Sequence, residues 1–156
     1  MDDNVKQAVS LSLAEVFETM FFTLLEPVDG IPARDEWSSE KDFVEAEISY
    51  TGANNSGELR FFFPQSLARS IATNFLGEPE DNLSDEQLVD TVRETVNMGV
   101  GSMLGRIDPD GQCALGIPQA RLVSDFTPEK IIADLGLYVF RTSFGFLWME
   151  YNAKSV

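Results

Sequence analysis

The chain has 156 residues and a formal net charge of −15, from 26 Asp plus Glu against 11 Lys plus Arg, with no histidine and one cysteine. Lack of histidine excludes Ser-His-Asp and Cys-His nucleophilic systems, histidine-liganded zinc and an imidazole base, so any catalysis must use carboxylates, amides, hydroxyls or backbone groups. The negative charge argues against DNA or RNA as a partner, because phosphate binding relies on Lys and Arg displacing counterions.

The N-terminal MDDNVKQ has no basic region leading into an apolar run, and no stretch of about 18 apolar residues occurs anywhere. The expectation is a cytoplasmic protein with no membrane segment, and the 44% hydrophobic content predicts one packed domain over residues 1–156. Residues 4–26 carry Ala8, Val9, Leu13, Val16, Phe17, Met20, Phe21, Leu24 and Leu25 at spacings of three and four. This pattern predicts an amphipathic helix stopped by Pro27, with a connector from Glu26 to Asp42. The period then changes to two. Val44, Ala46, Ile48 and Tyr50 alternate with Glu45, Glu47 and Ser49, and Leu59, Phe61 and Phe63 recur at every second position beyond the turn-rich TGANNSG, predicting a β-hairpin. Pro64-Gln65-Ser66 then opens a helix with apolar positions Leu67, Ile71, Ala72 and Phe75, closing near Gly77.

Residues 78–90 hold six carboxylates and no basic residue, which reads as a solvated segment. Ser84 and Gln87 have capping-box spacing and predict a helix from Ser84 to Leu104, followed by a turn at RIDPDGQ. Cys113 cannot form an intramolecular disulfide, which implies a reducing compartment and an incidental thiol. Further strands are expected at residues 120–123, 131–133, 135–142 and 146–151, the last two joined across Thr142-Ser143-Phe144-Gly145. The aromatic tail, Tyr138, Phe140, Phe144, Phe146, Trp148 and Tyr151, reads as core strand, with part of it available as sheet surface to a dimer. The order of elements predicts an α+β fold: an antiparallel sheet with a long helix and additional helices packed on it.

The long helix carries the candidate chemistry. With Asp90 at zero and about 100° per residue, Glu94 falls near +40°, Asn97 near −20° and Gly101 near +20°. Leu88, Val92, Val96 and Met103 lie on the opposite face, so burying them turns the polar stripe to solvent with Glu94 and Asn97 adjacent and exposed. On spacing alone, this stripe reads as the ordinary outer face of a surface helix.

The segment Asp90-Thr-Val-Arg-Glu94-Thr-Val-Asn97-Met98-Gly-Val-Gly101 resembles the active-site helix of the CheC/CheX/FliY family of bacterial chemotaxis phosphatases. Thr19-Met20-Phe21-Phe22 looks like the end of that family's first helix, residues 50–59 its hairpin, Pro64 with Leu67-Ala68 the start of its next helix, and Gly116-Ile117-Pro118 its later proline segment. One Glu-x-x-Asn helix, rather than two, is closer to CheX than to CheC. The helix after Pro64 has Arg69 and Asn74 but no such motif.

The resemblance implies a phosphatase acting on the phosphoaspartate of a phosphorylated CheY-like response regulator. It implies Asn97 and Glu94 as catalytic residues, Asn97 aligning the attacking water and Glu94 pairing with the regulator's lysine. Asp90, Arg93 and Gly101 would belong to the contact surface. The regulator would bring its own Mg²⁺, with no metal or cofactor on this chain, and the protein would be a homodimer joined through its sheets. The alternative is a non-catalytic regulator-binding or flagellar-switch-like module. A small-molecule site has no support, since Gly99 and Gly101 lie inside a helix and not in a strand–loop–helix phosphate cradle.

Overall fold

In the computed structural model, which describes residues 3–133 and 136–155, the first amphipathic segment is helix α1 (Asp3–Phe21), burying Val9, Leu13, Val16 and Phe17. It stops short of Pro27. Phe22 turns into the left-handed region at φ 53°, the Thr23 N–H returns to the Phe17 carbonyl at 3.0 Å, and the Asn74 side chain donates to the Phe21 carbonyl at 2.6 Å. These bonds satisfy carbonyls that a helix end leaves open. Their key donor lies 53 residues away, so nothing local announces the end. Met20 and Leu24, expected on the buried face, are therefore 39% and 64% exposed.

The expected connector contains a short strand, β1 (Glu26–Val28), before the hairpin of β2 (Phe43–Thr51) and β3 (Asn55–Pro64). Helix α2 (Gln65–Leu76) follows and closes at Gly77, whose φ of 68° suits glycine. Its start is capped from a distance: the Ser66 N–H and hydroxyl donate to the Glu40 carboxylate at 2.9 and 2.8 Å. Helix α3 (Asp85–Ile107) carries the expected capping box, with Gln87 N–H to Ser84 Oγ at 3.1 Å and Ser84 N–H to Gln87 Oε1 at 2.9 Å.

Strands β4 (Ala114–Leu115), β5 (Gln119–Val123), β6 (Leu137–Thr142) and β7 (Gly145–Ser155) complete the described elements. The strand expected at 131–133 is instead a turn. The N–H groups of Ile131 and Ile132 both return to the Pro128 carbonyl at 3.0 Å, so local bonds consume the donors a ladder needs. Of the strand expected at 135–142, Leu135 lies outside the described residues.

The seven strands order as β1-β6-β7-β3-β2-β4, with β5 continuing along the β2 edge, and every pairing is antiparallel. One face of this α+β fold carries the helices over Val44, Ala46, Ile48, Leu59, Phe61 and Phe63. On the other face Phe43, Phe62, Val139, Phe146 and Trp148 form a second cluster with Phe126 and Ile131, and Trp37 packs its ring edge-on against Trp148 at 5.6 Å. The strand period of two thus splits the aromatic tail: Phe140 and Tyr151 point to the helices, Phe146 and Trp148 away from them. Those outer aromatics pack in a cluster with this chain's own Trp37 and Phe126. Phe144, in the turn, is exposed.

Candidate functional site

Helix α3 lies over β2, between α1 and β5. Leu88, Val92, Val96 and Met103 are essentially inaccessible, as their common face requires. Gly99 brings α1 close: a Cβ built there would stand 2.6 Å from Leu13 Cδ2. Arg106, in the last turn of α3, fastens the same seam with bonds to Ser12 Oγ at 3.0 Å and Glu15 Oε2 at 2.8 Å.

With that face buried, Asp90 and Glu94 are exposed and Arg93, Asn97 and Gly101 half-buried. Asn97 is therefore less open than the helical projection predicts. Strand β5 packs along α3, and a Cβ on Gly101 would sit 3.7 Å from Leu115 of β4, so the sheet edge flanks this side of the helix. Arg93 pairs with Asp90 at 2.7 Å on the same helix, which neutralises that carboxylate locally. Neither Glu94 nor Asn97 has a side-chain hydrogen bond or ion pair to any described residue. The helix thus presents an uncompensated carboxylate and a free amide about one turn apart, on a backbone whose opposite face is locked in the core.

The other polar positions weighed in the sequence have structural work. Asn74 caps α1, and Arg69 bonds Gln65 at 3.3 Å, so α2 offers no second copy of this arrangement. The Cys113 thiol contacts Asn55 Oδ1 at 3.1 Å, and partial burial with the adjacent Asp108 carboxylate pushes its pKa up, away from the reactive thiolate. Among the described residues no group of three or more His, Cys, Asp or Glu side chains is placed to hold a metal ion, and no helix is long and apolar enough to cross a membrane.

Residues 44–131, more than half the chain and including all of α3, match the family described as chemotaxis phosphatase CheX. The chain belongs to the CheX family. Solved structures similar to this CheX-family chain include the chemotaxis protein CheX from Vibrio vulnificus, 24% identical with a TM-score of 0.76 over 96% of each chain. A CheC-like superfamily protein from Shewanella sp. PV-4 is 21% identical with a TM-score of 0.75, over 99% of this chain and 100% of the other. CheX in the CheX-CheY-BeF3-Mg²⁺ complex from Borrelia burgdorferi is 13% identical with a TM-score of 0.69, over 97% and 98%. No curated protein sequence matches the chain. At these identities the structural likenesses establish the fold, and the family match establishes membership.

Sequence reasoning missed one feature near this helix. Phe22 is 83% exposed at the end of α1, next to Met20 and Phe21. The available signal was that about 100° per residue sets Phe22, unlike Met20 and Phe21, roughly opposite Leu13 and Phe17.

Proposed function

We propose that this protein hydrolyses the phosphoaspartate of a CheY-type response regulator and so ends its signal. The observation that carries this reading is the pair of unengaged side chains, Glu94 and Asn97, side by side on the solvent face of α3 in a chain of the CheX family. The regulator's own Mg²⁺ supplies neutralisation of phosphoryl charge. Asn97 accepts a hydrogen bond from a water molecule through its amide oxygen and holds that water in line with the phosphorus. Attack then forms the new P–O bond as the aspartate carboxylate leaves, releasing inorganic phosphate. The contribution of Asn97 is positioning, which needs no titrating base and so suits a chain without histidine. Glu94 accepts charge-assisted hydrogen bonds from the regulator's active-site lysine, anchoring the complex and turning that lysine away from the phosphoryl group. The Asp90–Arg93 pair and the flat spot at Gly101 belong to the contact surface.

The test is single-turnover phosphate release from receiver domains phosphorylated by acetyl phosphate. The double variant Glu94→Ala/Asn97→Ala is expected to leave only the regulator's own slow hydrolysis; release as fast as wild type would refute the site. Wild-type binding with no acceleration would favour the non-catalytic module. Glu94→Ala alone is expected to raise Kd by about tenfold or more, since it removes one partner of an interfacial ion pair, and to slow turnover as well; an unchanged Kd would remove its anchoring role. The −15 charge adds a kinetic expectation. Association with a lysine-bearing face should slow several-fold as ionic strength rises from about 0.05 to 0.5 M, read by stopped flow.

The family reading also includes a homodimer joined through the sheets. Arg60 and Arg121 stand among Glu45, Glu47 and Glu150 on the outer sheet face, a patch of both signs that can pair with a copy of itself. Sedimentation at two salt concentrations reads this directly.

A further inference from the structure

We propose that an apolar ledge beside the N-terminal half of α3 is a second docking surface for the regulator's receiver domain, an inference that rests on the function proposed above. The ledge is made by Met20, Phe22 and Leu24 at the end of α1 and by Phe75 and Leu76 at the end of α2, which are 39%, 83%, 64%, 39% and 40% exposed. The two helix ends form one surface. Asn74 donates to the Phe21 carbonyl, and the Phe21 and Phe75 rings meet edge-on at 6.0 Å.

Phe22 is the informative residue. Its φ of 53° is one that glycine or asparagine tolerates far better than an aromatic residue, and its side chain recovers almost no burial in return. A bulky ring held in a disfavoured backbone conformation and left in water serves neither the turn nor the core. The left-handed turn itself closes α1, but nothing in it calls for an aromatic ring; contact with something outside the chain accounts for the ring.

The position of the ledge follows from the pairing of α1 with α3. Leu13 abuts Gly99, while Val5 and Ile107 line one cavity, so the two helices run antiparallel. From Leu13 to Met20 the helix rises about 10.5 Å, and the same distance back from Gly99 reaches Val92. The ledge therefore lies toward the Asp90–Glu94 end of α3 rather than toward its C-terminus. A domain seated on Glu94 and Asn97 covers both.

Charge decides what seats there. The chain leaving Leu76 runs straight into residues 78–90, with six carboxylates and no basic residue, and Glu18 is exposed on α1. A second copy of this chain would set acid against acid. The fitting occupant has an apolar spot ringed by lysine or arginine, on the same molecule whose lysine Glu94 holds.

The double variant Phe22→Asn/Leu24→Ser tests this. Both positions are exposed and asparagine tolerates the left-handed conformation, so thermal stability is expected to be unchanged. With a panel of CheY-type receiver domains phosphorylated by acetyl phosphate, KM is expected to rise about tenfold while kcat stays within about twofold. An unchanged KM, in a protein that loses turnover on Asn97→Ala, overturns the ledge and leaves the phosphatase reading standing. A wild-type protein that accelerates hydrolysis for no receiver overturns that reading and the ledge with it. Unchanged KM accompanied by loss of self-association in sedimentation would make the ledge a contact between copies, which also refutes the proposal.

Discussion

Replacing Asn97 by alanine is expected to lower single-turnover phosphate release by at least about 100-fold, while the Kd for the beryllofluoride-activated receiver domain stays within about threefold of wild type. The size follows from the mechanism: misplacing an attacking water by about 1 Å is enough to lose two orders of magnitude, and alanine leaves nothing to hold it. The retention of binding follows from the proposed division of labour on α3, in which Glu94 rather than Asn97 makes the charged contact. Asn97 is half-buried and bonded to no described side chain, so its removal strands no partner, and the melting temperature should move by no more than about 2 °C. Asn97→Asp sharpens the test. It keeps the size and the oxygen acceptor but brings a negative charge toward the phosphoryl group, and it should be nearly as slow as alanine. An Asn97→Ala protein with wild-type turnover would place the water-aligning group elsewhere.

The largest structural effect is expected at Gly99, where leucine should destabilise the protein by about 2–3 kcal/mol. For a chain of this length that is a fall in melting temperature of roughly 5–10 °C. Even a bare Cβ would approach Leu13 Cδ2 to 2.6 Å, and Leu13 is 3% exposed with no open space to retreat into. A full leucine side chain must therefore push α1 off α3, exposing part of the core and moving the helix that carries Glu94 and Asn97. Turnover should fall along with stability. Pairing Gly99→Leu with Leu13→Ala opens room on the facing helix, and the two changes together should be less damaging than their sum. Strict additivity in thermal melts would show that the seam is not the cause. Gly101→Ala is the control, since its Cβ would stand at an ordinary 3.7 Å from Leu115 and alanine favours the helix by up to about 1 kcal/mol. That variant should be at least as stable as wild type.

Much of the candidate site was legible because it lies on one long helix. A capping box, a buried apolar stripe and a polar stripe opposite it are all local in sequence, so the projection of Asp90, Glu94, Asn97 and Gly101 onto one face needed no tertiary information. The hairpin was legible for the same reason, its apolar residues recurring at every second position on both strands. The end of α1 was not, because Asn74 and the left-handed turn at Phe22 close the helix before the proline that seemed to close it. Ile131 and Ile132 were misread as strand since a short apolar run is ambiguous until its hydrogen bonds are known. Capping of α2 by Glu40 and the flanking of α3 by Leu115 likewise depend on residues far away in the chain.

Composition and short-range pattern by themselves determined what chemistry was open to this protein. With no histidine, imidazole chemistry is closed to it and carboxylates, amides, hydroxyls and backbone groups remain, while a net charge of −15 disfavours a polyphosphate partner. These are properties of side chains and their spacing, which folding does not alter. Only the tertiary structure decided which of those groups are free to act. Asp90 is tied to Arg93 and Asn74 to the end of α1, whereas Glu94 and Asn97 are left unengaged, and Met20, Phe22 and Leu24 are turned outward beside them. Availability is a matter of which neighbours come within hydrogen-bonding distance: Arg93 reaches Asp90 along the same helix, whereas Asn74 reaches the end of α1 from 53 residues away.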